Sequence, residues 1–338
     1  MSKLTALVTG GCGFVGRHMV TRLIALGYAV TVVDNLSSGL VPEMWPGHLQ
    51  IPASKAKSFT FLRADIRDYM RMTTPNFNLI CHLAAVVGGR LTIDGDPLAV
   101  ASDLAIDADL FNWVVGPIRP DKLMYFSSSA AYPISLQATE CHRTLSEDLI
   151  SFGDSMGVPD MTYGWSKLTG EFLAGFAVQK YGLDVTIYRP FSGYGEDQDL
   201  AYPFPSIVRR VTQRETPVVV WGSGEQSRDF IYIDDAIEAS LLAKDLLRPG
   251  DALNLGSGEG TSFRRLAELT CDVLGHSAPI VNDPSKPEGV FARVGDCRRM
   301  LSLYTPKVSL VEGIRRTYEF QLATGRIARG CSIRSAVA

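Results

Sequence analysis

A glycine-rich turn near the start of the chain, set between an apolar run and a helical pattern, constrains the fold more than any other feature. Leu4–Thr9 is an apolar run typical of a buried parallel strand. The turn that follows has the spacing Gly-x-x-Gly-x-x-Gly over Gly10–Gly16, and Arg17–Leu26 has helical periodicity. Glycines at such a turn allow a tight bend and a close backbone approach to a pyrophosphate at the helix N-terminus. The pattern therefore predicts the first unit of a dinucleotide-binding fold.

An acidic residue completes this signature. The second apolar run, Ala29–Val33, ends at Asp34. An acid at this place accepts hydrogen bonds from the adenosine ribose hydroxyls and repels a 2′-phosphate, so NAD is favoured over NADP. The residues that we expect to contact the cofactor in this region are Gly10, Gly13, Phe14, Val15, Gly16, Asp34, Asn35, Ser37, Ser38 and Gly39.

Strand-like runs then alternate with helical patterns, which predicts an α/β fold with a Rossmann-type doubly wound parallel sheet. The runs are Phe59–Arg63, Leu79–Leu83, Lys122–Ser127 and Leu183–Tyr188. Ligands bind such sheets at the carboxyl ends of the strands. The candidate cofactor contacts at those ends are Asp65, Ile66, Leu83, Ala84, Ala85, Arg189 and Phe191. For Ala84 and Ala85, plain tight packing explains the residue type equally well.

Two interleaved lobes are expected. Residues 1–191 would form the NAD-binding domain, and the chain would return to it near 226–258, where Asp251–Leu255 is apolar. Residues 192–325 would form a smaller C-terminal α/β substrate lobe, and residues 326–338 would form a tail.

The segment Thr162–Lys167 contains the strongest candidate for chemistry. Tyr163 and Lys167 are four residues apart, so a helix places them on one face. A Lys ammonium close to a phenol favours the phenolate and lowers the Tyr pKa toward neutrality. Such a base can take a proton from a sugar hydroxyl while hydride leaves the same carbon. A solvated helix face has the same spacing, but the dinucleotide signature and the Ser127–Ser129 cluster favour catalysis.

Composition narrows the classes of partner. The net charge of −3 over 338 residues favours neither nucleic acid nor an anionic membrane surface. No apolar run approaches the ~20 residues that span a bilayer. The six cysteines lack metal-ligand spacing, so we expect no metal and reduced thiols in a cytoplasmic protein.

In ordered combination, these motifs resemble the extended short-chain dehydrogenase/reductases that act as nucleotide-sugar epimerases and dehydratases, the UDP-glucose 4-epimerase-like members above all. The matching segments are Gly10–Gly16, Asp34–Leu36, Asp65–Arg67, His82–Ala85, Ser127–Ser129, Tyr163–Lys167, Arg189–Phe191 and Trp221–Asp235. The resemblance implies that Tyr163 deprotonates a sugar 4-hydroxyl and that Lys167 binds the nicotinamide ribose. A serine would hydrogen-bond the 4-oxygen; it is Ser129 when counted from the strand and Ser128 when counted back from Tyr132, so both remain candidates.

The resemblance also implies a set of substrate contacts. Arg228 matches an Arg that grips the diphosphate, a task that suits the planar guanidinium; the alternative is an ion pair with Asp229 or Asp235. Ser192 falls where relatives often have Asn. The full set of candidates is Val87, Gly88, Arg90, Ser128, Ser129, Ser192, Arg228, Lys286 and Arg293.

The extra acids and bases that distinguish the family's reactions are largely missing. Ser129–Tyr132 lacks the acids that 4,6-dehydratases and decarboxylases place there, and Ala130 stands where GDP-fucose synthase and GDP-mannose 3,5-epimerase have Cys. Those two enzymes also use a second acid/base, whereas Glu196–Tyr202 offers only carboxylates. Cys141 and His142 would be substitutes, although a chance pair is the favoured explanation.

We therefore expect an NAD-dependent nucleotide-sugar 4-epimerase, since that reaction needs only Tyr, Lys, Ser and NAD. A UDP-hexose or UDP-hexuronate is the favoured substrate. Residues 84–90 and Lys286–Gly289 resemble the GDP-sugar enzymes and leave a GDP-sugar epimerase or reductase open. A non-catalytic NAD-binding regulator is a third hypothesis, which intact Tyr163 and Lys167 disfavour. The resemblance also implies a homodimer through helices near 94–115 and 163–181, although their apolar residues would equally serve the core.

Overall fold

The computed structural model describes residues 3–86, 95–140, 142–153 and 155–325. Its strands, in chain order, are β1 (Thr5–Thr9), β2 (Ala29–Asp34), β3 (Phe59–Arg63), β4 (Leu79–His82), β5 (Lys122–Phe126), β6 (Val185–Pro190), β7 (Ser192–Tyr194), β8 (Val218–Trp221), β9 (Ser227–Tyr232), β10 (Ala252–Leu255), β11 (Gly260–Ser262), β12 (Ile280–Asp283) and β13 (Ala292–Arg293).

The helices of the described residues, in chain order, are α1 (Phe14–Ala25), α2 (Ile66–Met72), α3 (Pro97–Val100), α4 (Asp103–Val114), α5 (Met161–Tyr181), α6 (Pro203–Thr212), α7 (Ile233–Ala243), α8 (Phe263–Leu274), α9 (Arg298–Leu303) and α10 (Leu310–Ala323). Within these ranges, none has both the length and the apolar character that crossing a bilayer requires.

Seven strands form one sheet in the order β10-β6-β5-β4-β1-β2-β3, and every neighbouring pair is parallel. The direction of winding reverses between β1 and β4, because β2 and β3 lie on one side of β1 and the later strands on the other. In such sheets the ligand crevice opens at the carboxyl ends of the strands at this reversal. The predicted Rossmann-type doubly wound sheet is therefore confirmed.

The core lies on both faces of this sheet because alternate side chains of each strand point to opposite sides. Ala6 and Val8 of β1 join the apolar cluster that packs around Met19 of α1. Leu7, between them, joins the other cluster, which packs around Leu110 of α4. Near-continuous apolar strands such as β1 are thus explained by burial on both faces.

The helical pattern over 94–115 is interrupted in the structure. α3 ends at Val100 and α4 begins at Asp103. Across the junction, Ser102 N–H donates to the Ala99 carbonyl at 3.1 Å and Leu104 N–H to the Ala101 carbonyl at 3.1 Å. These bonds span three residues instead of four, so one tight turn separates the two α-helices.

The later half of the chain builds smaller sheets and then rejoins the large one. β9 pairs with β7, β11 and β13, while β8 pairs with β12. β10 returns to the large sheet, where Leu253 lies opposite Tyr188 of β6. Just beyond β10, the N–H groups of Ser257 and Gly258 donate to Asp229 of β9, which ties a smaller sheet to the carboxyl end of the large one.

Candidate active site

The glycine-rich turn packs so closely that side chains are excluded at two of its positions. Gly10 has φ +67°, and a Cβ there would lie 2.8 Å from the Ala84 Cα at the end of β4. A Cβ on Gly16 would lie 2.2 Å from the Gly10 carbonyl oxygen. Gly13, which caps α1, brings no side chain to the first N–H groups of that helix. The positive end of α1 is therefore presented by backbone alone, which fits a pyrophosphate.

Asp34 at the end of β2 organises the loop beside this turn. Its Oδ2 accepts a hydrogen bond from the Cys12 N–H at 2.9 Å, and its Oδ1 accepts one from the Leu36 N–H at 2.7 Å. The loop that follows carries the candidates Asn35, Ser37, Ser38 and Gly39 beside the glycine turn. The first three are exposed, so the arrangement fits the predicted contacts with an adenosine ribose.

The other candidates at strand ends lie along the same edge. Asp65 caps α2 and forms hydrogen bonds with Arg67, which hold the pKa of Asp65 below its usual range. Ile66 is buried in the core. Leu83 and Ala84 donate their N–H groups to the Thr9 hydroxyl oxygen, each at 3.1 Å. Phe14, Val15 and Ala85 are partly buried on the same edge.

Tyr163, Lys167 and Ser128 come together at the carboxyl end of β5. The Lys167 Nζ lies 5.8 Å from the centre of the Tyr163 ring, and Lys167 is 2% exposed. Ser128 also lies near Tyr163, where its hydroxyl lowers the pKa of the phenol. Ser129 is buried and begins the 3-10 turn Ser129–Ala131, which Ser128 caps by accepting the Ala130 N–H at 3.1 Å. Of the two candidate serines, the structure brings Ser128 to the Tyr163 phenol.

The pKa of Tyr163 moves in the direction opposite to that expected from the sequence. Burial disfavours the phenolate and raises the pKa of Tyr163 above its usual value. Lys167 and the Ser128 hydroxyl lower it, but by less. The expectation was wrong because spacing reveals the nearby ammonium and says nothing about how far the phenol is removed from water.

A buried polar chain that sequence reasoning missed runs behind Lys167. The His82 Nδ1 lies 2.9 Å from the Thr9 Oγ1, and its Nε2 lies 3.1 Å from the Asp107 Oδ1. The Asp107 Oδ2 accepts a hydrogen bond from the Tyr125 hydroxyl. The centre of the Tyr125 ring lies 5.7 Å from the Lys167 Nζ. Asp103, one turn before Asp107 on α4, is also buried. Two acids four residues apart in a largely apolar helix were the available signal.

Arg189 is committed to the protein's own groups. Its Nε and Nη2 donate to the two carboxylate oxygens of Glu171 at 2.9 and 2.7 Å. Its Nη1 donates to the Tyr132 hydroxyl at 2.9 Å and to the Glu147 carbonyl at 2.8 Å. Four hydrogen bonds in a buried setting favour a structural tie between β6 and α5 over the predicted cofactor contact. Phe191 packs on the Tyr132 ring, with centroids 6.2 Å apart.

The candidate substrate cations lie on the smaller sheets with different partners. The Arg228 guanidinium lies over the Phe263 ring at 5.4 Å and donates to the Val290 carbonyl at 2.9 Å. Asp229, its suggested ion-pair partner, instead accepts N–H bonds from Ser257, Gly258 and Gly295. Ser192 opens β7, which pairs with the strand of Arg228.

The last two cations differ in how firmly they are held. The Lys286 Nζ lies 5.9 Å from the centre of the Trp221 ring. Arg293 donates to Asp160 at 2.7 Å and to Gln137 at 2.7 Å. Arg293 is therefore already bound to an acid and an amide of the protein, whereas Lys286 contacts the face of the Trp221 ring.

Tyr202 is a second phenol near the reaction centre that sequence reasoning overlooked. It precedes α6 and is partly buried, and burial together with the negative charge of an ionised Tyr163 raises the pKa of Tyr202 to about 12. The loop after β7 thus offers more than the carboxylates expected from the sequence. The residue type of Tyr202 is evident from the sequence, but its proximity to Tyr163 is evident only from the fold.

Several candidates lie outside the described residues: Val87, Gly88, Arg90 and Cys141. His142 is exposed, and its ring lies 5.3 Å from that of Phe291. Among the residues that the structure describes, no three His, Cys, Asp or Glu side chains are grouped to hold a metal ion.

Comparison with known proteins extends these observations. The model of the NAD dependent epimerase/dehydratase family matches residues 6–256. A UDP-glucose 4-epimerase of Mycolicibacterium smegmatis is 28% identical over 346 residues, which cover 94% of this chain and 98% of the relative.

Two solved structures are similar over nearly their whole length. A UDP-glucose 4-epimerase of Thermotoga maritima with UDP-glucose has a TM-score of 0.80 and 27% identity, covering 95% of this chain and 99% of that one. A UDP-glucuronic acid 4-epimerase of Bacillus cereus, in complex with UDP-4-deoxy-4-fluoro-glucuronic acid and NAD, has a TM-score of 0.78 and 25% identity; the coverage is 95% and 100%. The glycine turn and Asp34 fit a dinucleotide such as the NAD of the Bacillus cereus complex. The chain belongs to the NAD dependent epimerase/dehydratase family and is an NAD-dependent sugar-modifying enzyme.

Proposed function

We propose that the protein is an NAD-dependent nucleotide-sugar 4-epimerase that acts through a transient 4-keto sugar. The observation that carries the proposal is the meeting of Ser128, Tyr163 and Lys167 beside the glycine turn and the end of β4. With NAD as the hydride acceptor, these three side chains are sufficient for reversible oxidation of one hydroxyl, because that step moves one proton and one hydride.

Each residue has a distinct task in this proposal. Ser128 positions the 4-hydroxyl of the sugar against Tyr163, which removes its proton as the C4 hydride departs. Lys167 stabilises the phenolate that starts the step and binds the nicotinamide ribose. Bound NAD, which the glycine turn and Asp34 would hold, would supply the hydride chemistry: a hydride acceptor for the first half of the reaction and a hydride donor to the other face of the keto sugar once the sugar has turned over. Tyr163 then gives the proton back to the 4-oxygen.

A UDP-hexose or UDP-hexuronate is the proposed substrate. The names of the similar enzymes support it, since the Thermotoga maritima and Bacillus cereus proteins carry UDP-glucose and a UDP-glucuronic acid analogue. Arg228, Lys286 and Ser192 are the proposed diphosphate and sugar contacts. Arg293 would have to exchange its bond with Asp160 for the ligand, so we expect it to contribute less.

Incubation of the purified protein in D2O with a panel of UDP- and GDP-sugars, followed by proton NMR, tests the proposal. We expect a 4-epimer without ring deuterium, because hydride returns from the bound cofactor and does not exchange with water. Deuterium at C3 or C5 would instead mean enolisation next to a 4-keto group and would exclude simple 4-epimerisation. Failure to turn over any sugar of the panel would exclude the proposed 4-epimerase activity on UDP- and GDP-sugars.

A second candidate, an epimerase or reductase acting on a GDP-sugar, is favoured by the position of Tyr202. Enolisation at C3 or C5 needs a further acid/base, and a phenol close to Tyr163 is one. Under this alternative, Tyr202→Phe abolishes deuterium incorporation while the first oxidation survives. Under the main proposal, Tyr202→Phe leaves the D2O spectrum unchanged.

We also propose that the enzyme is a homodimer through α5 and the neighbouring α3 and α4. The α5 side chains Trp165, Phe172 and Phe176 share one face and are 44–48% exposed. Leu98 on α3 and Leu104 on α4 are 81% and 38% exposed. A large apolar patch of this kind marks a protein interface. Sedimentation should show a dimer that Phe172→Lys dissociates; a wild-type monomer at micromolar concentration would contradict this.

A further inference from the structure

Two pairs of side chains face each other where α4 packs against α5. Tyr163 and Lys167 are one turn apart on α5, and Asp103 and Asp107 are one turn apart on α4. All but Tyr163, which is partly buried, are at most 2% exposed. A buried lysine therefore stands opposite two buried carboxylates, and the two acids differ in how they are satisfied.

Asp107 is held by a hydrogen-bonded chain whose proton positions can be assigned. The Thr9 hydroxyl oxygen accepts from the Leu83 and Ala84 N–H groups, so its own hydrogen is left for the His82 Nδ1. His82 then carries its proton on Nε2 and donates it to Asp107. With the Tyr125 hydroxyl donating as well, Asp107 is a carboxylate, and its pKa is lowered although burial opposes this.

Gly170 of α5 has no side chain, so the hydrogen-bonded network that holds Asp107 can lie close to Lys167. A Cβ on Gly170 would lie 1.7 Å from the Tyr125 Oη and 2.7 Å from the Asp107 Oδ2. Gly170 is one turn beyond Lys167 along α5. The hydrogen-bonded Asp107 and Tyr125 side chains therefore pack against the helix that carries the lysine. Asp107 is therefore a fixed negative charge below the Tyr163–Lys167 pair.

Among the described residues, only one carboxylate oxygen of Asp103 has a hydrogen-bond partner. Its Oδ1 accepts the Val86 N–H at 2.6 Å, just beyond the end of β4. Its Oδ2 is buried and has no hydrogen-bond partner among the described residues. Burial raises the pKa of Asp103 to about 6, although the Lys167 ammonium and the Val86 N–H oppose this. Asp103 can therefore change charge near neutral pH while Asp107 stays ionised.

We propose that Asp103 is a positioning residue that sets the basicity of Tyr163 by partly neutralising the field of Lys167. The inference rests on the proposed role of Tyr163 as the base. When Asp103 is ionised, its charge opposes formation of a second negative charge on the Tyr163 phenol and weakens the pull of Lys167. When Asp103 is protonated, Lys167 acts on the phenol with only Asp107 against it.

Among the described groups around this site, Asp103 is the one whose charge varies near neutral pH. His82 of β4 is neutral at and above neutral pH, because burial lowers its pKa from the usual 6.5. Tyr125 of β5 keeps its proton because burial and Asp107 raise its pKa. Lys167 of α5 stays charged, since Asp107, Tyr163 and Asp103 raise its pKa against the effect of burial.

The first test compares the rate at which substrate reduces bound NAD in Asp103→Asn and in wild type. The rate is measured across pH from the absorbance of the reduced nicotinamide. Asn keeps an acceptor for the Val86 N–H and removes the charge. We expect the variant to be faster above pH 6, by about tenfold for each unit by which the Tyr163 pKa falls, and to converge with wild type below pH 6. Asp103→Glu, which restores a carboxylate, should restore the wild-type profile.

The matched control is Asp109→Asn on the same helix, which removes an exposed charge 41% accessible to solvent and should leave the profile unchanged. An Asp103→Asn profile that is scaled equally at every pH, with no change of shape, would mean that Asp103 is structural and would overturn the inference. Absence of turnover in wild type would reject the proposed function instead.

A second test needs no turnover. In protein labelled with carbon-13 at aspartate carboxyls, the Asp103 signal is the one that Asp103→Glu removes. We expect it to titrate near pH 6 in wild type and at higher pH in Lys167→Met, because the ammonium no longer favours the carboxylate. An unchanged midpoint in Lys167→Met would show that the two groups do not interact, and the inference would fail even for an active 4-epimerase.

Discussion

Two clusters of charged side chains, each built around buried cations, differ in how their charges are balanced. Between α1 and the loop after β7, Asp197 accepts hydrogen bonds from Arg17 and from the His18 Nε2 at 3.0 Å, and the His18 Nδ1 lies 2.8 Å from Asp234. Both cations have a carboxylate in direct contact. Behind the active site, Lys167 has two acids opposite it, and one oxygen of Asp103 has no partner among the described residues.

This difference distinguishes the Asp197 cluster, which stabilises the fold, from the Lys167 cluster, which we infer contributes to catalysis. Direct pairing stabilises a buried charge and fixes its protonation state, because breaking the pair strands an uncompensated ion. Incomplete pairing leaves a group whose pKa lies near the working pH. The balanced cluster should therefore respond to mutation through stability, and the incomplete one through rate and pH dependence.

The largest effect is expected at the centre of the incomplete cluster. Tyr163→Phe removes the proposed base, so turnover should fall by about 10²- to 10⁴-fold. NAD should still bind, since the glycine turn and Asp34 are untouched. Stopped-flow turnover and NAD fluorescence titration measure the two properties. Turnover within a few-fold of wild type would remove Tyr163 from the mechanism.

The balanced cluster should be most sensitive at Asp197. Asp197→Asn leaves Arg17 buried without its carboxylate, which should cost roughly 3–5 kcal/mol of unfolding free energy. Urea unfolding measures this. The control is Asp68→Asn, which removes a carboxylate 68% exposed beside Arg71 and should cost under about 1 kcal/mol. Equal losses in the two variants would contradict the contrast.

A glycine pair on α5 tests the incomplete cluster without changing any charge. Gly170→Ala forces a methyl group against Tyr125 and Asp107 and should destabilise by roughly 1–3 kcal/mol. Gly175 lies on the same helix, and no described neighbour has an atom within 4 Å of an added Cβ there. Gly175→Ala should therefore stabilise by up to about 1 kcal/mol through helix propensity. Thermal unfolding of both variants decides the point, and a stabilising Gly170→Ala would mean that Tyr125 and Asp107 move freely.

The last contrast is a difference in pH response between two histidines. Burial lowers the pKa of His18, but its bonds to Asp197 and Asp234 raise it to about 9, from 6.5 when unpaired. Its stabilisation is thus fully present below pH 6.5 and is lost as pH rises through about 9. His82 has a lowered pKa, so it removes stability as pH falls below its ordinary range.

Unfolding free energies of wild type, His18→Gln and His82→Gln across pH separate the two responses. The gap between wild type and His18→Gln should narrow on the alkaline side only. For His82→Gln, the pH dependence should change on the acidic side only. A His18 gap that is constant through pH 9 would show that His18 is not charged in the folded protein.

Features written in local sequence were predictable. The glycine spacing, Asp34 and the apolar runs identified the parallel sheet because each reflects a nearby backbone requirement. The choice between Ser128 and Ser129 was not accessible, since it depends on how the 3-10 turn after β5 aims two adjacent hydroxyls. Arg189 was assigned to the cofactor because its partner Glu171 is identified only by the packing of α5 on β6.

The direction of the Tyr163 pKa shift was also not predictable from the sequence. The lysine four residues away is evident from spacing, whereas burial is a property of the whole fold. Asp103 and Asp107 were overlooked for a related reason: acids in a helix usually face solvent, and their burial becomes evident only when α4 packs on α5.

The position of β10 has a consequence for how the enzyme can be made. β6 of the large sheet is covered on its outer side by β10, which arrives more than sixty residues later, at Ala252–Leu255. A nascent chain that has emerged only to residue 191 therefore carries β6 as an exposed apolar edge, the kind of edge that recruits other strands. The dinucleotide-binding half is thus not a separable cassette. Transfer of this half to another protein requires residues 252–255, or a substitute strand, to travel with it.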